Sequence, residues 1–344
     1  MTKRVGLISY PMLFQKQGGL QIQVKETLDA LQQLGVQVEL FDVLNSKLED
    51  FDIIHIFSAN HGNHNIVHAA KEKGCKVVMS PLAEEKWNKK YAHRSKFLEK
   101  FTRKLSGYLN YSFFSMVNSA FNECDHLVAL GEGEKLALQS AFDVPVEKIS
   151  IVKNGIPARF FSANSEYFHQ KIKIDGDFVL NVASVYPLKN QLLLAQILKQ
   201  HLPKMKLVLI GPVSGSNQTY LRQILDVGNT VYLGAFEYNS PMLPSAYAAA
   251  SVFVLPSSQE VYPLSALEAL ATGTPAIVTK VSSMKFNSDN NAFSLVDPCD
   301  ERAIAAVIAA TVKNKPNAIS CKKLVNGLSW QQVAKQLNEI YNSL

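Results

Sequence analysis

Length, composition and charge bound the class of protein before any motif is considered. The chain has 344 residues, of which 47% are hydrophobic and 19% charged, with a formal net charge of +6. This describes a globular protein with room for two domains and excludes a disordered chain.

The N-terminus and the cysteines favour a cytoplasmic protein. The apolar stretch in MTKRVGLISYP is too short for a secretory signal, and no apolar run reaches the roughly 18–20 residues of a membrane-spanning helix. The cysteines are scattered, without paired spacing for zinc or redox chemistry, at Cys75, Cys124, Cys299 and Cys321. We therefore expect reduced thiols.

In the first half of the chain, strand-like apolar runs alternate with helical patterns. The predicted strands are RVGLISYP, VQVELFDV, DIIHIFS, CKVVMSP, DHLVALG and KISIVKNG. The first helix, QIQVKETLDALQQLG, places Val24, Leu28 and Leu31 on one face and ends at Gly35. Strands separated by helices of ten or more residues indicate βαβ crossovers and a parallel sheet.

The same alternation restarts after a polar interval at residues 158–177. Its predicted strands are FVLNVAS, KLVLIGP, TVYLGAF, SVFVLPS and PAIVT. We predict an α/β protein with two Rossmann-like, doubly wound parallel-sheet domains facing a cleft, at residues 1–160 and 170–327, and a final helix at 328–344. Ligands of such sheets bind at the carboxyl ends of the strands.

Glycines follow two of these strands. Gly18 and Gly19 open the first helix, where paired glycines and a helix N-terminus let the backbone approach a phosphate. Gly211 follows LVLI in the second domain and is a weaker signal. A flexible loop is the alternative for Gly18 and Gly19. The dinucleotide pattern G-x-G-x-x-G does not occur here, which argues against a nicotinamide cofactor.

Lys189, Glu260 and Glu268 are the candidate polar groups of the second domain. Lys189 lies between a loop and a helix, where a cation can reach a pyrophosphate. Glu260 precedes the helix of PLSALEALATG and Glu268 lies inside it, a spacing that suits a sugar and a ribose with phosphates between them. The alternatives are a solvated lysine, a glutamate that caps the helix, and a second glutamate that points to solvent.

From end to end, the chain resembles the GT-B glycosyltransferases of family four, which are retaining and use nucleotide sugars. The matching pieces are GG at 18–19, KNGI at 153–156, Lys189–Asn190, LVLIGP, VYLGAF, the E-x7-E element with LEALATGTPAIV, and the terminal SWQQVAKQLNEIY. In this family the last helix typically crosses back to the first domain. The spaced glutamates before GTPAIV are the most diagnostic piece.

The resemblance implies roles for individual residues. Lys189 would neutralise the diphosphate, Glu260 would contact the donor sugar and Glu268 the ribose. Gly19 would back the phosphates or the sugar, and the base would lie by the loop after Gly234. The implied donor-binding residues are Gly18, Gly19, Lys189, Gly211, Gly234, Glu260, Tyr262, Leu264 and Glu268.

The family's chemistry is front-face displacement, in which a leaving-group oxygen takes the proton of the acceptor. It needs no cofactor and usually no metal, because cations and a helix N-terminus stabilise the leaving diphosphate. The implied catalytic residues are Glu260, Lys189 and His61. The sequence leaves open whether the donor base is uracil or guanine.

The sequence also departs from the family pattern. Ala183 and Ser184 stand where an arginine is usual, and Val261 stands where a glycine is common. Leu82 stands in place of a histidine that contacts the donor sugar in many relatives. His61 or His64, after the preceding strand, could compensate; the alternative is that both are polar loop residues.

Residues 86–104 concentrate the positive charge of the chain. They hold eight Lys or Arg residues against Glu99, and the resulting +7 exceeds the net charge of the whole chain. Phe97, Phe101, Leu105 and Leu109 recur every four residues beside these cations. A basic amphipathic helix can rest on an anionic membrane; the alternative is that the stripe packs against the sheet of its own domain. No nucleic-acid module is recognisable.

We therefore expect a retaining hexosyltransferase of cell-envelope polysaccharide or glycolipid synthesis, at the inner face of the membrane. Its partners would be a nucleotide-sugar donor and a glycan or lipid-linked acceptor. The alternative is a non-catalytic GT-B subunit or nucleotide-binding adaptor, which the departures at Leu82 and Ser184 support. A GT-B epimerase fits less well, because it needs several acid/base side chains that the sequence does not offer.

Overall fold

Two six-stranded parallel sheets form the framework of the chain. The structure is a computed structural model that describes residues 3–15, 17–60, 62–83, 87–106, 112–174, 176–286 and 291–344. Unit 1 comprises Met1–Gly155 with Trp330–Leu344, and unit 2 comprises Ile156–Ser329. The predicted α/β class with two parallel-sheet domains is confirmed.

In unit 1, six strands pair in the order β2-β1-β3-β4-β5-β6. They are β1 Arg4–Ile8, β2 Gln37–Leu40, β3 Ile53–Phe57, β4 Lys76–Ser80, β5 His126–Ala129 and β6 Ile149–Ile151. The helices between them are α1 Gly19–Gln33, α2 His64–Glu72, α3 Lys89–Ser106, α4 Phe113–Glu123 and α5 Glu132–Phe142. The strand order reverses direction between β1 and β3, which is the point where such sheets bind ligands.

In unit 2, the order is β12-β11-β10-β7-β8-β9. The strands are β7 Phe178–Val182, β8 Lys206–Ile210, β9 Thr230–Tyr232, β10 Val252–Leu255, β11 Ala276–Thr279 and β12 Phe293–Val296. The helices are α6 Ala158–Phe161, α7 Glu166–Lys171, α8 Gln191–His201, α9 Gln218–Asp226, α10 Met242–Ala249, α11 Leu264–Thr272, α12 Glu301–Lys313 and α13 Ala318–Leu324. This is the Rossmann order, with its reversal between β7 and β10.

The last helix, α14 Trp330–Ser343, belongs to unit 1 and packs against α1. Its Tyr341 hydroxyl lies 2.6 Å from Nδ1 of His55, whose Nε2 lies 2.9 Å from the Ser80 hydroxyl. Burial lowers the pKa of His55 to about 3, so the ring stays neutral. His55 therefore joins strands β3 and β4 to the last helix.

Helix α3 carries an exposed apolar residue on its basic face. It packs on α4 and α5 and buries Ala92, while Phe97 is 71% exposed. Phe97 therefore does not pack against the sheet of its own domain. The side chains of Phe101 and Leu105, and Leu109 as a whole, lie outside the described part of the chain. Among the helices described, none has the length and apolar character needed to span a bilayer.

Candidate functional site

Lys189 and Glu260 meet where the strand order of unit 2 reverses. Strand β7 leads into the turn Pro187–Lys189, and β10 leads into the loop that carries Glu260. Because β7 and β10 are parallel neighbours, both loops leave the same edge of the sheet. The Lys189 ammonium donates a hydrogen bond to Oε1 of Glu260, and the two side chains are 15% and 10% exposed.

Hydrogen bonds hold these two loops together. The side-chain amide of Asn190 donates to the carbonyl of Pro256 (2.8 Å), and the Ser258 N–H donates to that of Leu188 (2.9 Å). On the far side, the Ser283 N–H donates to the carbonyl of Val261 (2.8 Å). The loop with Glu260 is thus tied to its neighbours on both sides, so its carboxylate occupies a defined place.

The electrostatics of the pair keep the cation charged. Burial lowers the pKa of Lys189, but the Glu260 carboxylate and Tyr186 outweigh it and leave that pKa above its ordinary value. The Ser257 hydroxyl also donates to Oε1 of Glu260, at 2.8 Å. A protonated amine beside an oriented carboxylate can bind an anion and a hydroxyl-bearing group side by side.

Glu268 lies inside α11 and is only 4% exposed. The alternative that it points to solvent is therefore wrong. Its Oε2 accepts a hydrogen bond from the Tyr247 hydroxyl (2.8 Å), on α10. Burial and the charge of Glu268 raise the pKa of Tyr247 well above its usual range, so the hydroxyl remains a donor. Tyr262 and Leu264, at the start of the same helix, are also buried.

Gly211 and Gly234 have structural roles at the edge of the same sheet. Gly211 has a φ of +150°, and a Cβ there would overlap the carbonyl oxygen of Ala183. Its N–H donates to the carbonyl of Gly234 (2.9 Å), which has a φ of +77° with open space around it. Gly211 is thus needed for the close approach of the loops after β7 and β8. Their donor-binding roles stay predictions.

Neither backbone conformation nor packing explains the glycine at position 18 in unit 1. It precedes α1 with a φ of 175°, which any residue adopts, and a Cβ there would meet no described atom within 4 Å. Gly19 is the first residue of α1. Since neither backbone nor packing requires a glycine at 18, close approach of a ligand remains the explanation that the sequence predicts.

The residues after β3 and β4 include two non-glycine residues with positive φ. Ser58 has a φ of +73° and Leu82 one of +53°, and such residues cluster at functional sites. His64 begins α2, is 7% exposed, and has no hydrogen-bond partner for Nδ1 in the described part of the chain. His61, the predicted catalytic histidine, lies outside the described residues.

Glu134 is a buried glutamate that the sequence did not predict. It is fully buried in the first turn of α5, where Oε1 accepts from the N–H of Ala83 (2.6 Å) and Oε2 from that of Leu130 (2.7 Å). It therefore ties the loop after β4 to the end of β5. The repeated glutamates of GEGEKL, typical of a helix start, were the available signal.

No group of three or more His, Cys, Asp or Glu side chains that could hold a metal ion occurs within the described ranges. That Lys189 binds an anionic substrate stays a prediction. Metal independence stays a prediction of the resemblance.

The family model that describes glycosyl transferases group 1 matches residues 164–326, which covers nearly all of unit 2. Among curated relatives, D-inositol 3-phosphate glycosyltransferase of Corynebacterium urealyticum is 25% identical over 65% of this chain and 58% of its own length. The UDP-Gal:alpha-D-GlcNAc-diphosphoundecaprenol alpha-1,3-galactosyltransferase of Escherichia coli is 26% identical, over 88% of this chain and 78% of its own.

A solved structure matches across both units. Sucrose-phosphate synthase of Thermosynechococcus elongatus superimposes with a TM-score of 0.79 over 99% of this chain and 98% of that one, at 16% identity. Such a likeness shows the fold. The chain spans only 58% of the length of the Corynebacterium urealyticum relative and 45% of that of a glycosyltransferase of Methanocaldococcus jannaschii. The assignment to family four stays a prediction. Residues 164–326 thus match the glycosyl transferases group 1 family, and the two parallel-sheet units have the GT-B fold.

Proposed function

We propose that this chain is a retaining glycosyltransferase that moves a hexose from a nucleotide diphosphate sugar to a glycan or lipid-linked acceptor. The observation that carries the proposal is the Lys189–Glu260 pair, at the point where the strand order of unit 2 reverses. A cation held there suits a diphosphate, and an adjacent carboxylate suits the hydroxyls of a sugar.

Lys189 supplies positive charge where the leaving diphosphate becomes more negative, so it lowers the barrier more than it tightens ground-state binding. The N-terminus of α11, which follows the loop that carries Glu260, adds backbone N–H groups and a partial positive charge. Retaining, metal-independent transfer is part of this proposal. In this mechanism the protein stabilises the charge of the leaving diphosphate and positions the donor and the acceptor.

Glu268 holds the ribose in this proposal. The Tyr247 hydroxyl on Oε2 fixes the plane of the carboxylate inside α11. A pre-oriented carboxylate can accept hydrogen bonds from vicinal hydroxyls with little loss of side-chain entropy. Glu260 and Glu268 would then contact opposite ends of the donor.

Two observations support the proposed acceptor: the name of one relative and the exposed residues of helix α3. The Escherichia coli relative acts, by its name, on a diphosphoundecaprenol-linked sugar. Helix α3 exposes Phe97 together with Lys90, Arg94 and Lys100. A lipid-linked acceptor at an anionic membrane surface fits this combination, and cell-envelope polysaccharide or glycolipid synthesis is the setting we propose.

Thermal unfolding with nucleotides tests the donor site. UDP, GDP and their sugar conjugates are added to the parent protein, and one base series should raise its stability, by about 2.7 kcal/mol at a hundredfold excess over Kd. Lys189→Ala and Glu268→Gln should lose the response; the glutamine keeps an acceptor for Tyr247. Lys199→Ala, at an exposed lysine of α8, is the control. Parent-like responses of both site variants would refute the assignment.

A non-catalytic nucleotide-binding subunit is the second candidate, favoured by Leu82 in place of the expected histidine. Transferases commonly pass the donor sugar slowly to water, whereas a pure binding subunit does not. Release of free sugar from the bound donor, lost in Lys189→Ala, would identify an enzyme. Nucleotide binding without such release, in the presence of candidate acceptors as well, would favour the subunit.

A further inference from the structure

In the free protein, Glu260 already engages the cation that a diphosphate requires. The Lys189–Glu260 pair is mostly buried, with side-chain exposures of 15% and 10%. Oε1 of Glu260 accepts from both the Lys189 ammonium and the Ser257 hydroxyl. A diphosphate that approaches Lys189 therefore comes to lie beside a carboxylate.

The loop that carries this carboxylate is held by hydrogen bonds on both sides. The loop after β10, which carries Glu260, is bonded to the loop after β7 through Asn190–Pro256 and Ser258–Leu188. It is bonded to the loop after β11 through Val261–Ser283. Ser257, which orients it, is fully buried. Since the pair is mostly shielded from water, repulsion between this carboxylate and a nearby phosphate is weakly screened.

The two natural ligands of a transferase meet this carboxylate differently. Beside Glu260, a nucleoside diphosphate presents phosphate oxygens, which repel the carboxylate and compete with it for Lys189. A nucleotide sugar also presents hydroxyl donors, and hydrogen bonds to a charged acceptor are among the stronger ones. The same side chain therefore opposes binding of the product and favours binding of the donor.

We propose that Glu260 is a specificity-determining residue that selects the nucleotide sugar over the bare nucleoside diphosphate. It holds Lys189 in the free protein, and it weakens binding of the diphosphate once the sugar has left. Release of the product is thereby assisted by the residue that bound the sugar. This inference rests on the proposed function and deepens it.

Isothermal calorimetry on the full chain tests the inference. The probes are inorganic pyrophosphate, UDP, GDP, UDP-glucose and GDP-mannose, and the first three do not require the sugar to be known. We expect Glu260→Gln to bind pyrophosphate and the matching nucleoside diphosphate about tenfold more tightly, or about 1.4 kcal/mol. Binding of the matching nucleotide sugar should not tighten. Glu166→Gln, an equal charge change at an exposed site of unit 2, should behave as the parent.

Glu260→Ala removes the carboxylate without introducing an amide and must show the same tightening, with folding checked by circular dichroism. If neither variant binds pyrophosphate or a diphosphate more tightly, while Lys189→Ala still abolishes binding, the inference is wrong and the donor site stands. If the parent and both variants bind none of the probes, the proposed function fails, and the inference with it.

Discussion

Glu134 places an ionisable group where no solvent reaches it. Burial raises its pKa to about 7, although the backbone N–H groups of Leu130, Ala83 and Leu82 act in the opposite direction. These donors belong to the loop after β4 and to the end of β5. Leu82, with its positive φ, is one of them, so the carboxylate supports a backbone conformation that a leucine rarely adopts.

This residue predicts a pH dependence of stability with a definite sign. The unfolded group titrates near 4.5, so between pH 4.5 and 7 the folded protein binds more protons than the unfolded chain. Its contribution to the free energy of unfolding therefore falls as pH rises through this window, by about 3 kcal/mol, and levels off above pH 7. Glu134→Gln removes this contribution.

Urea unfolding at pH 5 and pH 8 measures this contribution as the free energy of unfolding of the parent minus that of Glu134→Gln. The difference should be smaller at pH 8 than at pH 5. Glu132→Gln, at an exposed residue on the same turn of α5, is the matched control and should keep the parental profile. Equal pH profiles for the parent and Glu134→Gln would contradict the assignment.

Individual site residues differ in how far the sequence reveals them. Lys189 and Glu260 each follow an apolar strand, and this position is enough to place them at one edge of the sheet. Their hydrogen bond depends on the tertiary structure, which the local sequence does not encode. The burial of Glu268 depends on Tyr247 of the neighbouring helix, which no local pattern encodes. The partner of Glu134 at Ala83 lies 51 residues earlier in the chain.

At the scale of elements, the loops after β7 and β8 make their closest approach at Gly211. A side chain there would overlap the Ala183 carbonyl oxygen, and backbone atoms cannot move aside as a side chain can. Gly234 shares the positive φ but has open space. A comparison of substitutions at Gly211 and Gly234 therefore separates the free-energy cost of the backbone conformation from that of steric overlap.

We predict that Gly234→Ala costs about 1 kcal/mol of stability, for the left-handed conformation alone. Gly211→Ala should cost at least 3 kcal/mol, since overpacking against the backbone adds to the same strain. Chemical denaturation of both variants measures the difference. If Gly211→Ala were no less stable than Gly234→Ala, the loops would have room to separate, and Gly211 would have no packing role.

Strand alternation predicted most elements because each buried parallel strand is a short apolar run. Strand β12 was missed: it is an edge strand, and its middle residues Ser294 and Leu295 are only partly buried, which weakens the apolar pattern. The final helix was recognised as amphipathic. That its apolar face packs on α1 depends on contacts distant in sequence, and only the resemblance indicated it.

At the scale of the whole molecule, positive charge is concentrated rather than spread. Residues 86–104 carry +7, against +6 for the entire chain. On helix α3, Lys90, Arg94 and Phe97 lie on one face, since residues four and seven apart align on a helix, and all three are exposed. The proposed membrane contact would use this face.

Flotation with liposomes tests that contact. The parent protein should float with vesicles containing anionic phospholipid and not with neutral ones, because each basic residue near the surface contributes about 1 kcal/mol. Arg94→Glu/Lys100→Glu should reduce binding to anionic vesicles more than tenfold. Phe97→Ser keeps the charge and should weaken binding by removing apolar insertion.

A change in total charge alone would also weaken attraction to an anionic surface, so the position of the charge has to be separated from its amount. Lys199→Glu/Lys204→Glu makes the same change in net charge at exposed positions of unit 2. If helix α3 makes the contact, this variant should bind vesicles nearly as the parent does. Equal losses in the two double variants would mean that net charge, not helix α3, directs the protein to lipid.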